Sequence, residues 1–203
     1  NMRRFKNILY FADGVADRTS ALNRAISLAD SNDASLTVFD VVPEQGDSAG
    51  KIGRCLEVDI ERALREEREA ELTDMISGLR GIDRSAIHRV VTGIPFLEVI
   101  RAVLAQGYDL VIKAARPPDS FVKRTLGSTD LHLLRKCPCP IWIDRPDAAT
   151  PYRTVLAAVD PVDAEYEDSA RLIMDLATSL AKRENAGLAI VHAWRLRGEE
   201  LMR

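Results

Sequence analysis

The chain has 203 residues, of which 46% are hydrophobic and 29% are charged, and its formal net charge is −3. This composition is that of an ordinary globular protein with one or two domains, and the slightly acidic balance gives no indication of a nucleic-acid-binding surface. The apolar runs are only strand-sized, so we expect no membrane span or membrane partner and a cytoplasmic location.

Strands and helices alternate along the first 147 residues. The predicted strands are buried apolar runs at 7–13, 35–42, 88–92, 110–112 and 141–143. The predicted helices cover about 19–30, 56–79 and 95–106, with a fourth that begins at 127–129. The first follows a Thr-Ser cap and the third begins at Pro95, whereas the second is indicated by the helical spacing of its apolar residues. This alternation predicts an α/β fold with a doubly wound, five-stranded parallel sheet that helices cover on both faces.

Two residue types that often make metal or redox sites give no such signal here. Cys137-Pro138-Cys139 is one residue too tight for a CxxC redox or zinc pair, so we interpret both cysteines as packing residues that lead into the last strand. His88, His132 and His192 have no ligand spacing, so no metal site is expected. The charged run at 65–69 is interpreted as a solvated helix face.

The pattern of the first strands begins again near the end of the chain. The run 154–160 repeats that of 7–13, since both are apolar strands ending in an aspartate, and 186–191 matches 34–39. We therefore predict one domain at 1–147 and the start of a second, truncated copy at 148–203, arranged β-α-β. About 50 residues in that arrangement cannot bury both faces of a sheet.

The segment 110–144 contains a candidate anion site between two apolar strands. Gly127-Ser128-Thr129 opens a helix whose free N–H groups and positive dipole end favour a phosphate or carboxylate. Four basic residues surround this loop and would either be solvated or neutralise the anion: Lys113, Arg116, Lys123 and Arg124. Asp130 in the first helical turn stabilises the helix end but would repel a phosphate.

These motifs resemble those of the universal stress protein family, in particular its tandem-domain E-type members. Members of that family begin with a strand of the type ILVAVD, which 8–13 and 155–160 match. They also carry a glycine loop before the fourth helix and a segment ending in CPV before the last strand, similar to 127–130 and 132–140. The resemblance implies an adenine nucleotide α-hydrolase-like sheet with strand order 3-2-1-4-5.

In ATP-binding members of that family, the aspartate ending strand one contacts the adenosine, the end of strand two contacts adenine through its backbone, and the glycine loop wraps the ribose and phosphates. The resemblance therefore implies candidate nucleotide- or anion-binding residues at Asp13, Val41, Ala114, Gly127, Ser128 and Thr129. Two earlier glycines of the loop fall here on Ala114 and Pro117, and Pro118 follows; prolines have no N–H to donate. We expect a degenerate site with no resident cofactor, at which ATP or AMP binds only weakly.

The expected function is that of a non-enzymatic stress-response protein that self-associates, either as a homodimer or by packing of tandem domains. An alternative is an ATP- or AMP-binding switch with slow or no hydrolysis. Asp13 could serve either the ligand or the turn after strand one. A phosphoacceptor receiver domain would need an acidic pair after strand one and an aspartate ending strand three, where this chain has Asp13 alone and Thr92-Gly93. No catalytic residues are assigned.

Overall fold

The computed structural model describes residues 4–14, 19–44, 51–77, 87–115, 128–145, 151–160 and 167–192. The chain divides into two compact units, Asn1–Asp147 and Ala148–Arg203. The first unit contains β1 (Asn7–Phe11), α1 (Thr19–Asn32), β2 (Ser35–Pro43), α2 (Lys51–Ser77), β3 (Ile87–Gly93), α3 (Pro95–Gln106), β4 (Leu110–Ala114), α4 (Ser128–Lys136) and β5 (Ile141–Asp144). The second contains β6 (Thr154–Ala158), α5 (Glu167–Glu184) and β7 (Gly187–Val191).

The five strands of the first unit form one parallel sheet in the order β3-β2-β1-β4-β5. The predicted α/β class and strand order are therefore confirmed. Strands β2 and β3 lie on one side of β1, and strands β4 and β5 lie on the other. The carboxyl ends of β1 and β4 therefore flank the topological switch point. Ligand sites of open α/β sheets lie at this position.

Apolar side chains fill both faces of the sheet because its central strands are hydrophobic at nearly every position. One core lies under α1 and α2 and includes Tyr10, Leu22 and Ile112. The other lies under α3 and α4 and includes Phe11 and Leu133. Successive residues of β1 alternate between the two cores, so each face of the sheet receives every second side chain of this strand.

Several element boundaries differ from the predictions, among them the start of α2, which lies at Lys51 rather than at about 56, and the ends of β1 and α1. Strand β1 ends at Phe11 rather than at Asp13, because Asp13 and Gly14 adopt positive φ angles of 51° and 59° and turn the chain away. Helix α1 continues to Asn32. The Asn32 Oδ1 accepts hydrogen bonds from the backbone N–H groups of Arg4 and Phe5 and so holds the segment that enters β1.

Strand β5 is less buried than the sequence predicts. Ile141, Trp142 and Ile143 are only half-buried, because β5 lies at the sheet edge and pairs with β4 alone. The solvated interpretation of the charged run in α2 fits Arg65, which pairs with Glu69 on the exposed surface at 3.0 Å. None of the helices in the described ranges is long and apolar enough to span a membrane.

The second unit repeats several backbone features of β1, α1 and β2. Its strands β6 and β7 pair in parallel, as β1 and β2 do. Helix α5 is followed by Asn185 at a φ of 53°, and helix α1 by Asp33 at a φ of 56°. In each unit, the N–H of the first residue of the following strand donates to the carbonyl just before the first strand, from Ser35 to Lys6 and from Gly187 to Arg153.

Candidate functional site

The carboxyl edge of the sheet carries a buried cluster of three charged side chains, which we call the Lys113 cluster: Asp13, Lys113 and Asp130. Lys113 is the fourth residue of β4 and is fully buried. Its Nζ donates to Asp13 Oδ2 at 2.5 Å and also to Asp130 Oδ1. The cluster therefore joins the turn after β1, the end of β4 and the first turn of α4.

The alternation along β1 and β4 explains why these groups meet. Val111 belongs to the core under α3 and α4, so Lys113, two residues further along β4, lies on the same face. Asp13 lies in the turn that follows Phe11 at the end of β1, from which its carboxylate reaches the ammonium. Helix α4 covers that face and places Asp130 over the ammonium. The Lys113 Nζ also lies 5.7 Å from the centre of the Phe11 ring, within the range of a cation–π contact.

The Lys113 cluster holds two buried carboxylates against one ammonium. Asp13 and Asp130 are 5% and 1% exposed, so water does little to stabilise these charges. Removing the ammonium would take away the counter-ion that both carboxylates share, which costs far more than an exposed ion pair contributes.

A second charged group lies on the opposite face of the sheet. Asp144, the last residue of β5, accepts hydrogen bonds from Arg24 Nε at 2.8 Å and from Ser20 Oγ at 2.7 Å. The Arg24 guanidinium also lies over the Trp142 ring, 5.1 Å from its centre. These contacts attach the first turns of α1 to the end of β5.

A third charged group lies near the carboxyl end of β2, at Asp40. Asp40 Oδ1 accepts a hydrogen bond from the backbone N–H of Val41 at 2.9 Å, and its Oδ2 lies 3.9 Å from Arg68 Nε. Arg68 also lies against Gly14, where an added Cβ would be 3.1 Å from its Nη2. Arg68 is thus an exception to the predicted solvated face of α2, although it also pairs with Glu71 at the surface.

The structure brings three of the six predicted site residues to this edge: Asp13, Val41 and Ala114. All three are buried. At the start of α4, Ser128 is exposed and Thr129 is half-buried. Gly127, the sixth predicted residue, lies outside the described residues, together with Arg116, Pro117, Pro118, Lys123 and Arg124.

For Lys113, the solvated interpretation is wrong, because its side chain is fully buried and donates to two carboxylates. Asp13 likewise has a lysine partner that neither of its two predicted roles included. The one signal in the sequence was the position of a lysine inside the apolar run LVIKA. The groups at Asp40 and Asp144 were not predicted.

The histidines give no sign of a metal centre within the described ranges. His132 stacks on Phe96 with ring centres 4.3 Å apart. His192 Nδ1 lies 3.1 Å from the Val159 carbonyl oxygen. No cluster of three or more histidine, cysteine, aspartate or glutamate side chains that could hold a metal ion occurs among those residues.

The fold and the position of the Lys113 cluster define a doubly wound α/β protein with a candidate site at its topological switch point. The family model of the universal stress protein family matches residues 4–145. The chain therefore belongs to the universal stress protein family, and the predicted family is confirmed.

Individual relatives are similar to the chain over different lengths. Universal stress protein E of Escherichia coli K12 is 45% identical over 49 residues, which are 24% of this chain and 16% of that protein. Universal stress protein E of Photorhabdus laumondii is 26% identical over 173 residues, which are 78% of this chain and 51% of that protein. The chain thus spans at most about half the length of these two relatives.

Solved structures share the fold. A universal stress protein from Archaeoglobus fulgidus aligns with a TM-score of 0.64 at 21% identity, over 97% of this chain and 70% of that one. At this identity the similarity concerns the fold alone.

Proposed function

We propose that this protein is a non-enzymatic universal stress protein that acts in the cytoplasmic stress response with a degenerate nucleotide site. The observation that carries the proposal is the buried Lys113 ammonium on Asp13, the aspartate through which ATP-binding members contact adenosine. In this chain that carboxylate already accepts a hydrogen bond from Lys113 Nζ at 2.5 Å. A nucleotide would have to compete with a buried ion pair.

The energy of that competition is large enough to remove useful affinity. Breaking a buried ion pair so that one charge loses its partner costs up to about 3–5 kcal/mol, and here Lys113 keeps Asp130 when Asp13 turns to a nucleotide. A site with micromolar intrinsic affinity gains about 8 kcal/mol on binding, so a cost of that size would leave about 3–5 kcal/mol, which corresponds to roughly millimolar affinity. We therefore expect ATP and AMP to bind at millimolar concentrations or not at all.

The end of β2 supports the same conclusion. ATP-binding members contact adenine through the backbone at this position, for which Val41 is the candidate here. The Val41 N–H donates to Asp40 Oδ1 at 2.9 Å in a buried environment. An adenine acceptor atom would have to displace this side chain, which is itself held near Arg68.

The charge at the start of α4 is also unfavourable for phosphate. A helix N-terminus favours an anion, but here Asp130 supplies a carboxylate in the first turn. Lys113 is the nearest described strand residue that could attract a phosphate. Its positive charge already pairs with the carboxylates of Asp13 and Asp130. A phosphate would add negative charge beside the carboxylates of Asp13 and Asp130.

Equilibrium dialysis of the full chain against ATP and AMP tests this proposal. We expect no saturable binding below millimolar concentrations. The alternative, a nucleotide-binding switch, predicts saturable binding at low micromolar concentrations. In that case the matched variant Asp13→Asn shows where the nucleotide binds. If this variant no longer bound the nucleotide, the site would include the Lys113 cluster and the proposal would be overturned.

We also infer that 148–203 begins another universal stress protein domain, as in tandem-domain members, and that it promotes self-association. The shared backbone features of the two units support the first inference. The second is supported by exposed apolar side chains on β6 and β7, among them Leu156, Leu188 and Ile190. Such surfaces favour association with another apolar surface, from a second chain or from a tandem domain.

A further inference from the structure

Two cysteines lie close together where α4 ends. The Cys137 N–H donates to the Leu133 carbonyl at 2.9 Å and completes the last turn of the helix. Pro138 has no N–H with which to continue it, so the chain bends before β5 begins. This bend brings Cys137 Sγ and Cys139 Sγ to 3.7 Å. The short spacing that argued against a CxxC pair therefore still produces a thiol pair.

The surroundings of the two thiols differ in a way that separates their reactivity. Both are half-buried and pack against the core under α3 and α4, so a small solute can reach them. The hydrogen bond from Cys139 lowers the pKa of Cys137 to about 7. The same hydrogen bond raises the pKa of Cys139, and burial and the charges of Cys137 and Asp109 act in the same direction. Cys137 is therefore the thiol of the pair that more readily becomes a thiolate, the reactive form of cysteine.

We propose that Cys137 and Cys139 are a reversible oxidation site that closes to an intrachain disulfide on reaction with a peroxide. This function is separate from the degenerate nucleotide site. Closure requires the two sulfur atoms to approach by about 1.7 Å, from 3.7 Å to a bonded distance of about 2.04 Å. Because both lie in the short link between α4 and β5, the disulfide would tie the helix end to the start of the strand.

The reaction proceeds in two balanced steps. The Cys137 thiolate attacks one oxygen of hydrogen peroxide and breaks the O–O bond, which gives a sulfenic acid and, after protonation of the leaving hydroxide, water. The Cys139 sulfur then attacks Cys137 Sγ and breaks the S–O bond, and its thiol proton leaves with the hydroxyl group as a second water. Two thiols are oxidised by two electrons, and one peroxide is reduced to two waters.

Peptide mapping of the unmodified full chain tests the proposal without any substitution. Trypsin should release the segment 137–153, because it cleaves after Lys136 and after Arg153 and the Arg145-Pro146 bond resists cleavage. This peptide contains both cysteines and no other. After peroxide treatment and alkylation, we expect it without alkyl groups and two hydrogen atoms lighter. When the oxidised protein is reduced with dithiothreitol before alkylation, the same peptide should carry two alkyl groups.

Three other results would overturn the proposal. These are a peptide that still takes two alkyl groups after peroxide, one oxidised to sulfinic acid, and one linked to the peptide that contains Cys55. The Cys55→Ser variant provides the control, since it should form the same internal disulfide.

The order of the steps has its own test. In the unmodified chain at pH 7, iodoacetamide should alkylate Cys137 about tenfold faster than Cys139, because the hydrogen bond between the thiols lowers the pKa of Cys137 and raises that of Cys139. In the Cys139→Ser variant, peroxide should leave Cys137 as a sulfenic acid that dimedone traps. Equal alkylation rates, or no trapped sulfenic acid in a folded variant, would contradict the assigned roles.

Discussion

Replacement of Lys113 by methionine would remove the ammonium that holds two buried carboxylates together. Methionine has a side chain of similar length without a charge, so the change isolates the effect of the ammonium. Asp13 and Asp130 would stay almost wholly buried without their common counter-ion. A loss of this kind costs about 3–5 kcal/mol, so we expect the free energy of unfolding of the first unit to fall by about that amount.

Urea denaturation followed by tryptophan fluorescence measures this change. The chain has two tryptophans, so a Trp194→Phe background leaves Trp142 in β5 as the reporter of the first unit. With a denaturant slope of about 2 kcal/mol/M, the Lys113→Met variant should unfold at a urea concentration about 2 M lower.

Two further variants separate the buried cluster from a general effect of lost charge. Arg65→Met removes one member of the exposed Arg65–Glu69 pair and should cost no more than about 0.5 kcal/mol. Adding Asp13→Asn and Asp130→Asn to Lys113→Met should restore much of the stability, because no buried charge of the cluster then remains. Asparagine also tolerates the positive φ of residue 13. If Lys113→Met were as mild as Arg65→Met, the Lys113 cluster would not exist as described.

Three further outcomes are expected. Gly107→Ala should lower the free energy of unfolding by about 1 kcal/mol in urea denaturation, because Gly107 caps α3 at a φ of 67° with open space around it. Gly107→Asn should cost less, and equal losses for the two variants would argue against backbone strain. Inorganic phosphate titrated by ³¹P NMR should bind at the Ser128 and Thr129 N–H groups no better than at millimolar concentration, since the Asp130 carboxylate lies in the same helical turn; micromolar saturation would contradict this. Deletion of the residues after Asp147 should leave a folded first unit by circular dichroism and change the oligomeric state by light scattering, whereas a stable monomer of the full chain at high concentration would refute the inferred self-association.

Helix α3 shows which features can be predicted from sequence. Both of its ends were predicted correctly, at Pro95 and Gln106, because each is marked by a residue with a specific backbone preference. Pro95 is suited to the first helical turn, and Gly107 adopts the left-handed conformation after the last. The apolar runs predicted the strands, whereas their order was implied by the family resemblance alone. Where such markers are absent, as at the end of β1, the boundary was less accurate.

The Lys113 cluster shows what the sequence could not provide. Asp13 and Lys113 are 100 positions apart, and Lys113 and Asp130 are 17 apart. Their contact depends on the pairing of β1 with β4 and on the placement of α4 over one face of the sheet. The position of Lys113 inside the apolar run LVIKA indicates burial, but it does not identify the carboxylates that the ammonium contacts. Those contacts follow from the strand register.

A crystal structure of the full chain soaked in submillimolar ATP with Mg²⁺ would test the central claim most directly. We predict that Lys113 Nζ stays within hydrogen-bonding distance of Asp13 and Asp130, with no nucleotide at the carboxyl ends of β1 and β4. An adenosine on Asp13 and Val41, with Lys113 turned toward its phosphates, would contradict the proposal that the protein's own ion cluster occupies this site.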